Sequence, residues 1–135
     1  MKYVKYFLTI LLIIIIIGIL FALLYPSPWT PESYEKPKYD STRPKMVPIE
    51  FAIEKYKQNT GHLPEKLEDL LNCPTGLEHI WQGPYLVKES QLIDPWSRYF
   101  VYELKQNDPN SYVLISYGKD GKPGGKGYKA DIYNY

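Results

Sequence analysis

Residues 116–132 read SYGKDGKPGGKGYKADI, and this stretch near the end of the chain decides how the rest is interpreted. Asp120 opens a glycine-rich segment and Asp131 closes it. A hard cation such as Ca²⁺ takes six to eight oxygens, which come from carboxylates and backbone carbonyls. Glycine lets carbonyls turn inward at backbone angles that other residues resist. The stretch therefore predicts a loop that is able to hold calcium.

The loop is not an EF-hand, because the third and fifth positions counted from Asp120 are Lys122 and Gly124 instead of Asp or Asn. A solvated, flexible tail with an Asp-Gly turn is the other interpretation of the same residues. Spacing alone leaves both interpretations open.

Composition limits what surrounds this loop. The chain has 135 residues, 44% of them hydrophobic, and its 16 Lys plus Arg balance 15 Asp plus Glu to a net charge of +1. This length allows one ordinary domain. The balanced charge predicts no nucleic-acid partner. The single cysteine, Cys73, rules out an intramolecular disulfide framework.

The first 25 residues are unlike the rest. Positions 6–25 carry no formal charge, and a helix of that length spans about 30 Å, the thickness of a bilayer core. A cleaved signal peptide has a shorter apolar run and small residues at its end, which are missing here. We therefore predict a single transmembrane helix within residues 1–25, with the membrane as a partner. Lysines flank the span on both sides, so charge alone does not fix its orientation.

Residues 26–48 contain six prolines, interleaved with charged residues and tyrosine. Proline at this density disfavours a regular helix and favours an extended spacer. The sequence therefore predicts a Pro-rich linker over 26–48.

The remaining residues, 49–135, predict a small α+β domain. Ile49, Ala52, Ile53 and Tyr56 recur at helical spacing, which indicates an amphipathic helix. A second short helix is predicted after Pro64. Later segments predict a loop over 76–83 and an antiparallel hairpin whose strands cover 99–104 and 112–117, joined by a turn at 107–110. The hydrophobic core of such a domain is small, so a bound metal would supply additional stability.

The sequence offers little for catalysis. His62 and His79 lack partners at metal-ligand spacing, and we expect Cys73 to be a buried or partly buried, inert thiol. No P-loop, nucleophile elbow or dinucleotide fingerprint is present. We therefore predict no enzyme activity and no small-molecule substrate.

Five segments together resemble one family, the G-type major pseudopilin of the type II secretion system. They follow the family's order and approximate spacing over about residues 49–132. The segments are AIEKY…TGHLP at 52–64, WQGPYL at 81–86, DPW at 94–96, FVY at 100–102, and the SYGKDG…GG…ADI loop at 116–132.

The resemblance implies a periplasmic domain that packs on the end of the pilin helix, with a small antiparallel sheet and a calcium-binding C-terminal loop. It implies that Asp120 and Asp131 bind calcium through their carboxylates and Tyr117 through its backbone carbonyl. Further carbonyls would come from residues 122–129. It also implies an anchor in the inner membrane, other pseudopilins or secretion-system proteins as partners, and structural roles for Trp81, Tyr85, Pro95 and Trp96.

The N-terminus departs from the family pattern. A pseudopilin precursor carries a Gly at its processing site and a Glu at the fifth mature position. Aligning Gly18 and Pro26 with the family places Val4 before the cleavage site and Thr9 where the Glu stands. The Pro-rich linker would also interrupt the long helix that builds the filament. Ser97 replaces the family's Gly after Asp-Pro-Trp.

Two hypotheses follow from these features. The first is a pseudopilin-like structural component of a type II secretion system, stabilised by calcium and not catalytic. The second is an unprocessed, membrane-anchored scaffold or binding module of the cell envelope that uses the pseudopilin head outside a filament. The head favours the first hypothesis, and the N-terminal departures favour the second.

Overall fold

The computed structural model describes residues 2–25 and 31–135 and divides the chain into two units, Met1–Tyr34 and Glu35–Tyr135. Helix α1 covers Lys2–Leu24, and its stretch Tyr3–Leu24 is long and apolar enough to cross a membrane. Its side chains from Tyr3 onward are exposed. The predicted apolar helix is therefore confirmed. Thr9 donates its hydroxyl to the Lys5 carbonyl at 2.8 Å, so this polar group is satisfied inside its own helix.

The predicted extended linker is wrong from Pro31 onward. Helix α2 runs without interruption over Pro31–Thr60. Positions 26–30 of the predicted linker lie outside the described residues. The amphipathic helix expected from Ile49 is therefore only the second half of a longer element, and the compact head unit begins at Glu35 instead of residue 49.

Tertiary packing explains why this proline-containing segment is helical. Thr42 and Met46 are fully buried against the head, so the helix gains apolar burial that local propensity does not reveal. Pro44 and Pro48 lie on the exposed side of the helix. Proline has no N–H, so the backbone carbonyl one turn earlier loses its helical donor, and on this side water can take the donor's place. The Thr42 hydroxyl adds a bond of 2.9 Å to the Lys38 carbonyl.

The head core forms where α2 meets the segments that follow it. Ile49, Ile53 and Tyr56 are at most 1% exposed, which confirms the predicted apolar face. They pack with leucines of the next segments and with Phe100. The predicted second helix is a single 3₁₀ turn, Leu67–Leu70, and a further 3₁₀ turn covers Glu89–Leu92.

A three-stranded antiparallel sheet completes the head. Strand β1 (Val101–Leu104) pairs with β2 (Tyr112–Ser116), with Val101 opposite Ile115, which confirms the predicted hairpin. Strand β3 (Ile132–Tyr133) pairs with the other side of β2, with Ser116 opposite Ile132. The sequence did not predict β3, because a strand of two residues after a glycine-rich segment is too short to show the alternation of apolar and polar residues.

One turn of the head is strained. Among the residues that the structure describes, Ser97 is the one non-glycine residue with a positive φ, 65°. The left-handed region costs a residue with a Cβ about 1–2 kcal/mol.

We expect Ser97→Gly to raise the free energy of unfolding by about 0.5–1 kcal/mol. This gain is smaller than the strain that is relieved, because glycine also gives the unfolded chain more conformational entropy. Urea unfolding, monitored by tryptophan fluorescence, measures this change in the free energy of unfolding. Ser97→Ala, which keeps the Cβ, is the control and should gain nothing; a glycine variant less stable than the native chain would contradict the strain.

Candidate cation-binding loop

The loop of residues 117–131 joins the end of β2 to the start of β3. Its two halves are tied by a bond from the Lys119 N–H to the Tyr128 carbonyl at 2.8 Å. Gly118 and Gly125 have positive φ, and a Cβ on either would lie within 2.6 Å of a backbone oxygen of Lys129 or Ala130. Glycine is therefore required at both positions to let the halves approach each other.

Tyr117 and Asp120 belong to the first half. The Gly121 N–H donates to the Tyr117 carbonyl at 3.1 Å, which closes a tight turn around Asp120. Asp120 is exposed, and its Oδ1 accepts a bond from the Lys122 N–H at 3.3 Å. The carbonyl of Tyr117 keeps a second lone pair, and the Asp120 carboxylate has capacity for more partners.

Asp131 holds the second half. Its Oδ2 accepts bonds from the Gly124 N–H at 2.9 Å and from the Tyr133 hydroxyl at 3.1 Å. This carboxylate raises the pKa of the Tyr133 hydroxyl, which keeps the tyrosine protonated as a donor. Its other oxygen, Oδ1, is buried, and in the described part of the chain no hydrogen-bond donor reaches it.

A buried carboxylate oxygen without a partner is costly, because it has lost its water and gained nothing in exchange. A cation at Oδ1 would remove this cost, so the residues present fit a hard cation. Within residues 2–25 and 31–135, no three His, Cys, Asp or Glu side chains gather as a metal cluster. A site here would therefore depend on two carboxylates and on backbone carbonyls, a set that suits calcium.

The sequence did not reveal Arg98, which supports the loop from outside. Its guanidinium donates to the Gly118 carbonyl and, at 3.4 Å, to the Lys119 carbonyl. Arg98 is placed by Asp94, whose Oδ1 accepts the Arg98 N–H at 3.0 Å and whose Oδ2 accepts the buried Ser116 hydroxyl at 2.7 Å. The Asp-Pro-Trp turn, the end of β2 and the loop thus form one hydrogen-bonded unit.

A second connection joins the loop to α2. Glu35, 5% exposed, accepts the indole N–H of Trp96 at 2.8 Å and pairs with the Lys119 ammonium at 3.2 Å. The Trp96 bond, with help from Lys119, holds the pKa of the Glu35 carboxyl below its usual range although burial opposes this. The ion pair therefore stays formed at neutral pH and weakens only as the pH falls through that lowered pKa.

The aromatic residues singled out in the sequence have structural contacts. Trp81 donates its indole N–H to the Asp69 carbonyl at 3.1 Å and packs edge-on against Tyr85, with ring centroids 5.6 Å apart. Tyr85 also packs against the buried ring of Tyr56. Trp81 and Tyr85 thus pack against the hydrophobic core, which contains Tyr56.

The prediction that Cys73 is buried or partly buried was wrong, because the residue is exposed. Partial desolvation and the nearby Glu78 charge raise the pKa of its thiol, which disfavours the nucleophilic thiolate. His62 and His79 are also exposed.

Comparison with known proteins decides the family. The family model described as "Type II secretion system (T2SS), protein G" matches residues 31–135, which include α2, the sheet and the whole candidate loop. The chain belongs to this family. It is therefore a pseudopilin, a structural component of type II secretion.

Three similar proteins are each called type II secretion system core protein G. The protein of Xanthomonas campestris pv. campestris is 38% identical over 98 residues, which are 73% of this chain and 66% of that protein. The Vibrio cholerae protein is 29% identical over 133 residues, 95% of this chain and 88% of its own. That of Pseudomonas aeruginosa is 30% identical over 131 residues, with coverage of 93% and 89%. The last two matches extend over nearly the whole of this pseudopilin.

Proposed function

We propose that this pseudopilin is a calcium-stabilised, non-catalytic subunit whose head lies in the periplasm and whose α1 anchors it in the inner membrane. The observation that carries the calcium proposal is the Oδ1 of Asp131, which is buried and has no hydrogen-bond partner among the residues that the structure describes. The ligands would be the carboxylates of Asp120 and Asp131, the Tyr117 carbonyl, and carbonyls of residues 122–129.

Calcium suits this set better than magnesium. Calcium accepts a flexible shell of carboxylates and carbonyls, whereas magnesium demands near-ideal octahedral geometry and gives up its waters reluctantly. When bound, the ion would supply a charge that holds the two halves of the loop together. Lys119 lies in this loop and pairs with Glu35 on α2, so an ordered loop also supports the attachment of α2 to the sheet.

We expect calcium to raise the melting temperature of the full-length protein in detergent. At a free calcium concentration of 100 times Kd, binding adds about 2.7 kcal/mol to the free energy of unfolding. For a head of this size, this corresponds to a rise in melting temperature of roughly 10 °C or more. Circular dichroism in calcium, in excess chelator and in magnesium measures this rise. Equal melting temperatures in calcium and chelator would contradict the proposal.

The second hypothesis, an unprocessed scaffold module, rests on the N-terminal departures from the family pattern. The Pro-rich segment supports it less than the sequence indicated, because residues 31–48 belong to helix α2, while residues 26–30 lie outside the described part of the chain. The absence of an acidic side chain at Thr9 still supports it, because a neighbour's N-terminal amine would have no carboxylate to pair with in the membrane.

Intact-mass analysis of membrane-extracted protein separates these hypotheses. From the replacement of the processing glycine by Val4, we expect a chain that is intact between Val4 and Lys5. A shorter, N-methylated chain beginning at Lys5 would instead show that the protein is processed for filament assembly. A chain altered at Val4→Gly and Thr9→Glu is the positive control for the processing machinery of the host cell.

A further inference from the structure

The candidate cation-binding loop carries more positive than negative charge. Residues 117–131 contain four lysines and two aspartates, so the net formal charge of the loop is +2. A cation binds to such a loop against a positive potential unless groups from elsewhere offset the lysines. Lys119 matters most among them, because it lies between two of the proposed ligands, Tyr117 and Asp120.

The backbone of Lys119 is held on both sides. Its N–H donates to the Tyr128 carbonyl at 2.8 Å, and its carbonyl accepts the Arg98 guanidinium at 3.4 Å. The direction of the side chain therefore decides where the ammonium lies. Glu35 on α2 sets this direction, because its Oε1 lies 3.2 Å from the Lys119 Nζ. Glu35 is itself fixed, since its Oε2 accepts the indole N–H of Trp96 at 2.8 Å.

Arg98 shows the same arrangement. Its guanidinium donates to the Gly118 carbonyl and lies 3.8 Å from Oδ2 of Asp94. Two cations thus contact the first half of the loop, and each is paired with a carboxylate from another part of the chain. Both carboxylates are buried, Glu35 at 5% exposure and Asp94 at 2%. Two buried acids therefore offset the positive charge that lies beside the proposed ligands.

We propose that Glu35 is a positioning residue for the calcium site: it directs the Lys119 ammonium towards α2 and neutralises its charge, so that the loop binds calcium more tightly. This role rests on the proposed function, because it sets the affinity of the same site. A neighbouring charge acts on a divalent ion with twice the energy that it has on a monovalent ion. The side chain of Lys119 is 43% exposed, so water and salt reduce this effect without removing it.

The position of Glu35 on α2 links calcium binding to the attachment of that helix. Linkage is reciprocal, so bound calcium favours the contact between Glu35 and Lys119 by the same factor by which this contact favours calcium. The first half of α2 is therefore held more firmly to the head when the ion is bound.

Calorimetric titration of calcium into the full-length protein in detergent tests this role. Glu35→Gln keeps the size of the side chain and an amide oxygen that can accept the Trp96 indole, so we expect the variant to fold. Its Kd for calcium should be about five- to ten-fold higher than that of the native chain. Glu54→Gln is the matched control, because it removes an exposed acid from the same helix, about 28 Å further along. Its Kd should stay within about two-fold of the native value.

Variants of Lys119 separate the charge of Glu35 from its shape. Adding Lys119→Met to Glu35→Gln removes the ammonium that has lost its partner, and it should return the Kd to within about two-fold of the native value. Lys119→Met alone keeps the bond between Glu35 and Trp96, and it should bind calcium at least as tightly as the native chain.

Three outcomes would overturn this role and leave the proposed function standing, provided that the native chain binds calcium. These are an unchanged Kd in Glu35→Gln, a double variant that binds as weakly as Glu35→Gln alone, and weaker binding by Lys119→Met. The second outcome would show that Glu35 acts only through its packing. A native chain that binds no calcium would overturn the proposed function and the role of Glu35 together.

Discussion

A chain that begins at Ile49 is expected to lose most of its stability, whereas one that begins at Pro31 is expected to fold. The segment 35–48 carries two fully buried side chains, Thr42 and Met46, and the carboxylate of Glu35 that accepts the Trp96 indole. Removing a buried methionine side chain alone costs about 2–5 kcal/mol. Leaving the indole N–H of Trp96 unpaired adds a further cost of about 1–3 kcal/mol wherever it stays shielded from water.

These costs approach the whole stability of an ordinary domain, about 5–15 kcal/mol. The test is urea unfolding of the two fragments, 31–135 and 49–135, followed by tryptophan fluorescence and near-ultraviolet circular dichroism. Met46→Ala in the longer fragment is the matched intermediate, because it removes one buried side chain and keeps the rest. Equal unfolding midpoints for the two fragments would show that the first half of α2 is a spacer after all.

Asp131→Asn is expected to remove the calcium response and leave the fold in place. The amide oxygen can still accept the Gly124 N–H and the Tyr133 hydroxyl, so the internal bonds of the loop survive. The charge and the buried Oδ1 are lost, and calcium affinity depends strongly on the number of charged ligands. Asp120→Asn should have a similar effect, because it removes the other carboxylate from the same small ligand set.

The parts of the fold that were predictable are those whose information is local. The period of Ile49, Ile53 and Tyr56 indicates a helix because one face of that helix is buried. The hairpin follows from alternating residues on either side of the turn at 107–110. The first half of α2 was not predictable, because prolines oppose a helix locally while the burial of Thr42 and Met46 depends on distant parts of the chain.

The candidate cation-binding loop was also predictable only in part. Residue type and spacing identify Asp120 and Asp131 as oxygen donors around glycines. They do not show that Oδ1 of Asp131 is buried, since this depends on how β3 docks beside β2. The support from Arg98 was equally hidden, because its contacts to Gly118 and Lys119 join residues that are about twenty positions apart. Asp131 directly precedes β3, and its spacing of two residues from Tyr133 is the one signal that could have indicated their contact.

Calorimetric titration of calcium into the full-length protein in detergent tests the central claim most directly. The native chain and the Glu103→Gln control, which alters an exposed acid on β1, should each bind one calcium ion. Asp131→Asn should bind it at least about 100-fold more weakly. Absence of calcium binding to the native chain, or an unchanged affinity in Asp131→Asn, would contradict a calcium site in the loop between β2 and β3.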